Sequence, residues 1–290
     1  MKGFAYLDRG SVLFVGIVVG AFLTMSFQTD GKPFARLIAA ETSRAPIPPP
    51  PAAKGCTSDF PFTSRVLARI RANQPLRIGV FGDSFGDGLS EATSQTFHGN
   101  PNVQVFQFSR EATGFTRYQS HDLLQEAKAK LAEQPIDIAL IDVGANDTQG
   151  VWLGGKGAAY MSASWQKIIG GRATDLVDYL HGAGVTVGWV GLPRMRDDQY
   201  DRDVQAMNAF YASLMCSLHV PFVDPVAVSE DGQHRFAMTL TDPATKQPYP
   251  ARAPDGVHMS MHGYRVIAKP LLDRIDMLSG DGTRPAAKGT

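Results

Sequence analysis

From about residue 76 onward the chain repeats one unit: a short, strongly apolar run, a loop rich in glycine, then a longer stretch of helical periodicity. "LRIGVFGD" (76–83), "VQVFQFS" (103–109), "IDIALIDVG" (136–144), "VTVGWVGLP" (185–193) and "VPFVDP" (220–225) are the apolar runs. Each is too short for a helix and is dense in Val, Ile and Phe, so each reads as a strand. Between them, "DLLQEAKAKLAEQ" (122–134), "SWQKIIGGRATDLVDYLHGAG" (164–184) and "DVQAMNAFYASLMCSLH" (203–219) read as helices, and a last helix spans about Ser260 to Met277. A further helical stretch is expected from about Ser90. Strands that alternate with helices and lack a polar face predict a mainly parallel five-stranded sheet covered on both sides. The expected fold is an α/β class, three-layer α/β/α sandwich.

Such sheets bind ligands beyond the carboxyl ends of their strands, so the loops there carry the chemistry. The first run stops at Gly82-Asp83-Ser84, and the second leads into "REATGFTR" with Gly114. The third ends in "VGANDTQG" with Asn146, and the fourth in "GLPRMRDDQ" with Arg194 and Arg196. Far downstream, just before the last helix, stands "APDGVHMSMHGY" with Asp255 and His258. A hydroxyl, an imidazole and an acid on one sheet edge are what acyl transfer requires, together with donors for a developing oxyanion. Read alone, Ser84 is better suited to capping a helix than to attacking a carbonyl, and only the other blocks reverse that reading. Asp83 reads as a loop-stabilising residue and Asp87 as a turn residue. Asp147 reads as either a cap or a site residue. His262, four residues after His258, reads as a partly exposed helix residue, because no H-E-x-x-H pattern or third ligand makes the pair a metal site.

"GDSFGDGL", Gly114 in "ATGF", "GAND" and "DGVH" resemble, in order, the four blocks of the SGNH hydrolases of the GDSL esterase and lipase superfamily. The resemblance extends over about residues 75–275. "VGWVGLPRMR", Asn208, "VPFVDP" and "DGVHMSMHGY" are further similar to the exported bacterial branch catalogued as domain of unknown function 459. The resemblance implies an SGNH, flavodoxin-like sandwich and a serine esterase. Ser84 would be the nucleophile, His258 the general base and Asp255 the residue that orients the imidazole. The oxyanion hole would comprise the Ser84 and Gly114 N–H groups and the Asn146 side-chain amide. The second block departs from the family pattern by placing Thr113-Gly114 after the charged pair Arg110-Glu111. Arg194 and Arg196 would contact an acidic part of the substrate or pair with Asp197, Asp198, Asp201 and Asp203. The glycines at 86 and 88 would let a turn pass close beneath the substrate. Residues 229–253, weakly periodic, read as a lid or hairpin over the pocket. An O-acyltransferase acting on a periplasmic glycan, and a non-catalytic glycan-binding module, are the alternatives. Neither a metal nor an organic cofactor is required by this chemistry.

The N-terminus sets the expected compartment. Lys2 and Arg9 precede residues 11–27, which carry no charge. That length and flank suit an uncleaved anchor helix with residues 1–10 inside. The catalytic domain would then lie on the periplasmic side of the cytoplasmic membrane. Cleavage near "LIAAETS" (37–43), releasing a secreted protein, is the other outcome. Residues 28–60 include "SRAPIPPPPAAKG", an extended proline-rich tether, and residues 281–290 read as a disordered tail. Residues 61–280 form the hydrolase-type domain. The expected partners are the membrane, through the N-terminal helix, and a small-molecule or glycan ester. With 28 basic and 28 acidic residues the chain offers no electrostatic case for nucleic acid. Two cysteines, Cys56 and Cys216, are either unrelated thiols or, in an oxidising compartment, a disulfide.

Overall fold

The computed structural model describes residues 60–279. The expected anchor, the tether up to residue 59 including Cys56, and the tail lie outside these residues. Among the described residues no helix is long and apolar enough to cross a membrane. Phe60, the last residue of the expected tether, is buried and packs its ring 5.2 Å from Phe62. Cys216 is disulfide-bonded.

The five apolar runs form one sheet: β1 (Leu76–Gly82), β2 (Val103–Gln107), β3 (Ile138–Asp142), β6 (Thr186–Val190) and β7 (Phe222–Val223). Their spatial order is β2-β1-β3-β6-β7 and every pairing is parallel. The register Gly82↔Asp142↔Val190 brings the carboxyl ends of the three central strands level. The chain steps from β1 outward to β2, then returns across β1 to β3, so the crevice between the β1 and β3 ends is the topological switch point.

Period-two alternation divides the strands between two cores. Ile78, Val80, Ile138 and Leu140 face α1 (Ser64–Arg71), α2 (Ser84–Thr96) and α7 (Met261–Ser279). Phe81, Ala139, Ile141, Val187 and Trp189 face α3 (Leu123–Glu133), α4 (Ala163–Gly182) and α5 (Asp198–Ser217). The helices begin where a short polar side chain can accept an orphan N–H. Asp122 accepts from Leu124 and Gln125, Ser162 from Trp165, and Asp197 from Tyr200. Two insertions decorate the sheet edge that carries the loops. A hairpin of β4 (Val151–Leu153) and β5 (Lys156–Ala158) follows β3. After β7 come the short α6 (Val226–Ser229) and a second hairpin, β8 (Thr239–Thr241) and β9 (Pro248–Pro250).

α2 begins at Ser84 rather than near Ser90, and this corrects the reading of Gly86 and Gly88 as turn residues. Both lie inside the helix as close-packing positions. A Cβ at Gly86 would stand 2.9 Å from the Phe81 carbonyl, and one at Gly88 would run into the Tyr264 ring. Glycine lowers helix propensity, so tertiary packing, not local preference, starts the helix this early.

Candidate active site

Ser84 is the first residue of α2, immediately after the β1 strand end. Asp83 caps that helix, with Oδ1 accepting from the Phe85 N–H at 2.9 Å. The same carboxyl reaches across the crevice, where its Oδ2 accepts from the Gly144 N–H at 3.1 Å. One buried side chain therefore fixes the turn that carries Ser84 to the loop after β3. Burial raises the Asp83 carboxyl to about 6, against the opposing N–H donations from Phe85 and Gly144.

His258 Nε2 lies 2.8 Å from Ser84 Oγ, and its Nδ1 lies 2.7 Å from Asp255 Oδ2. The other Asp255 oxygen accepts from the Val257 and His258 N–H groups at 2.8 and 3.0 Å. The partial burial of Asp255 acts to raise its carboxyl, but the imidazole and the two N–H donors outweigh it and hold the group at about 2. Asp255 is thus a fixed anion that selects the Nδ1–H tautomer and leaves Nε2 as the acceptor for the Ser84 proton. Phe85 stacks on the His258 ring at 5.1 Å and sets its plane. The loop is closed by the Arg252↔Met259 bridge, by Ala253 N–H donating to His258 O at 2.9 Å, and by Arg196 N–H donating to Gly256 O at 3.0 Å.

Gly114 and Asn146 come from the loops after β2 and β3. The Asn146 amide donates one N–H to the Thr113 carbonyl at 2.9 Å, which joins the two loops and leaves its second N–H unspent. Among the described hydrogen bonds the Ser84 and Gly114 N–H groups have no protein acceptor. Asp147, ambiguous in the sequence, proves to shape this loop. Its buried carboxyl accepts from Phe115 N–H (2.9 Å), Thr116 N–H (2.8 Å) and Thr116 Oγ1 (2.6 Å). A Cβ at Gly114 would sit 2.5 Å from Asp147 Oδ1, so a glycine is required there. Burial raises the Asp147 carboxyl, partly offset by those Thr116 and Phe115 bonds.

The loops therefore bring Ser84, His258, Asp255, Gly114 and Asn146 to one crevice. Of the two outcomes expected for Arg194, substrate contact or pairing with a nearby aspartate, the structure shows the pairing. Its guanidinium is occupied by Asp201 (2.9 Å) and Glu230 (2.9 Å), so it ties α5 to the segment after α6 instead of facing a ligand. Of the two carboxylates only Asp201 was foreseeable, being in the neighbouring sequence. Arg196 is exposed, donates to the Pro254 carbonyl at 3.0 Å and lies over the Phe236 ring. His262 pairs with Asp242 at 2.6 Å and stacks on Tyr249, which docks the β8–β9 hairpin onto α7. Asp87 accepts from Ser109 (2.5 Å) and Gln107 (2.8 Å), a link between α2 and β2 rather than a turn contact.

The family described as "Protein of unknown function (DUF459)" matches residues 77–274. The chain belongs to that family. This DUF459 chain is also 27% identical over 158 residues to a 2,3-bisphosphoglycerate-independent phosphoglycerate mutase of Methanothrix thermoacetophila, a stretch equal to 51% of the chain and 39% of the mutase. The DUF459 chain thus spans well under half the length of that curated relative. Among solved structures, a protein of Bacteroides fragilis assigned as an acylhydrolase superposes with a TM-score of 0.50 at 16% identity, over 74% of this chain and 97% of that one. An acetylxylan esterase of Geobacillus stearothermophilus (a catalytic mutant) gives 0.47 at 13% identity, over 70% and 94%. The DUF459 chain has the SGNH-type fold that its four sequence blocks resemble.

Proposed function

We propose that the protein is a serine esterase that hydrolyses acyl esters, acetyl or similarly short, on cell-envelope carbohydrate. The observation that carries this reading is the unbroken hydrogen-bonded relay from Ser84 Oγ through both nitrogens of His258 to Asp255. As the Ser84 Oγ–C bond forms, the hydroxyl proton passes to His258 Nε2. The carbonyl electron pair moves onto oxygen, where the Ser84 and Gly114 N–H groups and the Asn146 amide receive the charge. Collapse expels the sugar alkoxide, which takes the proton from Nε2, and leaves an acyl-Ser84 ester. Water then repeats the sequence, giving its proton to Nε2, and frees the acid and Ser84. The N-terminus of α2 adds a favourable potential at the nucleophile.

Export to the far side of the cytoplasmic membrane, by the segment 11–27, belongs to the same proposal and is what directs the reading to envelope glycans. The acyl-enzyme reading is tested with a fluorophosphonate probe and p-nitrophenyl acetate. The wild type is expected to label and to turn over. Ser84→Ala should do neither, and labelling that survives in that variant would overturn the assignment. With an oligosaccharide acceptor present, release of free acid is expected to outpace formation of acyl-sugar.

A further inference from the structure

The β4–β5 hairpin exposes a large aromatic where a soluble domain gains nothing by doing so. In its register Val151 faces Ala158, Trp152 faces Gly157 and Leu153 faces Lys156. Val151 and Ala158 are buried, while Trp152 is 69% exposed. Atoms of the indole six-membered ring lie 3.3–3.5 Å from where a Cβ of Gly157 would be. The ring therefore lies across a residue that has no side chain to cover it, and its outer face is open. The turn is Gly154-Gly155, with φ of +57° and +77°, the left-handed pair that a two-residue hairpin loop demands and a turn with no side chains to hide the indole.

The hairpin is rooted in both loops that carry oxyanion donors. Tyr118, which follows Gly114 through the short 3-10 turn Phe115–Arg117, donates its hydroxyl to the Trp152 carbonyl at 3.0 Å. Arg172 lies 3.4 Å over the Tyr118 ring and braces it. On the β3 side, Gln149 donates to the Asn146 carbonyl at 2.9 Å and to Thr116 Oγ1 at 3.3 Å, and its own carbonyl accepts from Trp165 Nε1 at 2.8 Å. A ligand on Trp152 is consequently held in fixed relation to Gly114 and Asn146.

We propose that Trp152 is a sugar-binding platform that seats a pyranose ring of the substrate beside the acyl group. The proposal rests on the esterase reading and supplies its substrate class. A β-1,4-linked pyranose with equatorial substituents presents a patch of axial C–H groups on each ring face, and an open indole face is the complementary surface. The loops that root the hairpin carry neutral donors and acceptors of the kind that sugar hydroxyls pair with: the Tyr118 hydroxyl bonded to the Trp152 carbonyl, the Gln119 amide bonded to that hydroxyl, and the Gln149 amide bonded to the Asn146 carbonyl. A lipid surface would call for a broad apolar patch. Among the described residues only Leu153 accompanies Trp152, and the other large exposed hydrophobics there, Leu67, Met238 and Met277, lie elsewhere in the chain.

The experiment compares wild type, Trp152→Ala and Trp152→Phe on O-acetylated chitotetraose, O-acetylated xylotetraose and p-nitrophenyl acetate. In parallel, Ser84→Ala and the Ser84→Ala/Trp152→Ala double variant are titrated with the two unacetylated tetrasaccharides by calorimetry. Trp152→Ala is expected to raise KM for at least one acetylated tetrasaccharide about tenfold, the loss of one aromatic contact. It should leave kcat/KM on p-nitrophenyl acetate within about twofold, and Trp152→Phe should recover part of the loss. The double variant should bind the matching tetrasaccharide correspondingly more weakly than Ser84→Ala. Unchanged KM on both sugars, an equal loss on p-nitrophenyl acetate, or a change in sedimentation alone, which would make the hairpin a contact between copies of the chain, each overturns the platform. Should no ester be turned over at all, the calorimetric arm still decides for or against the sugar site.

Discussion

Asp147 is not among the residues proposed to meet the substrate, yet it decides where one proposed oxyanion donor points. Three donors from residues 115 and 116 converge on its carboxyl, and the peptide that carries the Gly114 N–H is their immediate neighbour. Asp147→Asn keeps the shape but replaces one acceptor oxygen with a donor that meets the N–H groups it should receive. The turn should relax, and removal of one oxyanion donor costs about 10²–10³ in kcat. We expect a fall in kcat of at least about tenfold with KM for p-nitrophenyl acetate within about twofold, measured by steady-state kinetics. A rise in KM at constant kcat would instead place Asp147 in substrate binding. Asn146→Ala removes a donor outright and should reach the full range, while Ser84 still labels with fluorophosphonate. The candidate nucleophile, base, acid and donors were legible because they sit in short blocks at strand ends or just before a helix. Asp147 was not, because its partners lie in a different loop and no local pattern announces a carboxylate that serves distant N–H groups.

At the scale of elements, the packing of α2 against α7 orients the proposed catalytic pair. Tyr264 of α7 fills the space above Gly88 of α2 and meets Phe85 at 6.1 Å, and Phe85 in turn stacks on His258. Gly88→Ala thrusts a methyl group into the Tyr264 ring. Overpacking of this kind costs about 1–3 kcal/mol, which for a domain of this size is a drop of some degrees in Tm, about 2–4 °C per kcal/mol. Calorimetry should show that drop, and kcat should fall further than folded fraction explains, because the displaced Phe85 no longer holds the imidazole plane. An unaltered Tm would mean that Tyr264 can swing away and that the contact is not the helix–helix spacer. The strands and the long helices were legible from their apolar periodicity. The start of α2 was hidden, because its glycines signal a turn locally and only the Phe81 carbonyl and Tyr264, reached through the fold, make them helix-packing residues. Of the two partners of Arg194, Asp201 was legible in the neighbouring sequence, and Glu230 was not, because it arrives on a segment with no periodicity to place it.

At the scale of the whole molecule, the same crevice sets how stability responds to pH. Asp142, at the end of β3, is fully buried, and neither carboxyl oxygen has a hydrogen-bond partner among the described residues. Burial first, and the facing Asp83 second, push its carboxyl well above the ordinary 3.8, and Tyr264 is the other titratable group against it. The folded chain thus keeps a proton on Asp142 that the unfolded chain releases near 3.8. Between those two values the folded state binds more protons than the unfolded one, so stability declines as pH rises, by about 1.4 kcal/mol per pH unit for each such group. Asp83 adds to that decline only up to about 6. Asp255 acts in the opposite sense: held at about 2, it contributes stability that is complete above the unfolded value and lost as pH falls toward 2. Above about pH 5, then, Asp255 adds no slope, and the buried acids act against His181, whose imidazole burial holds below 6.5 and whose contribution grows as pH rises to that value. Urea unfolding from pH 5 upward should show the wild type losing stability as pH rises until the folded Asp142 carboxyl ionises. Asp142→Asn has no proton to release at that position, so its curve should be flatter and its stability relative to the wild type should grow over the same range. Parallel curves for the two proteins would mean that Asp142 ionises in the fold without cost, and that the floor of the crevice is wet rather than dry.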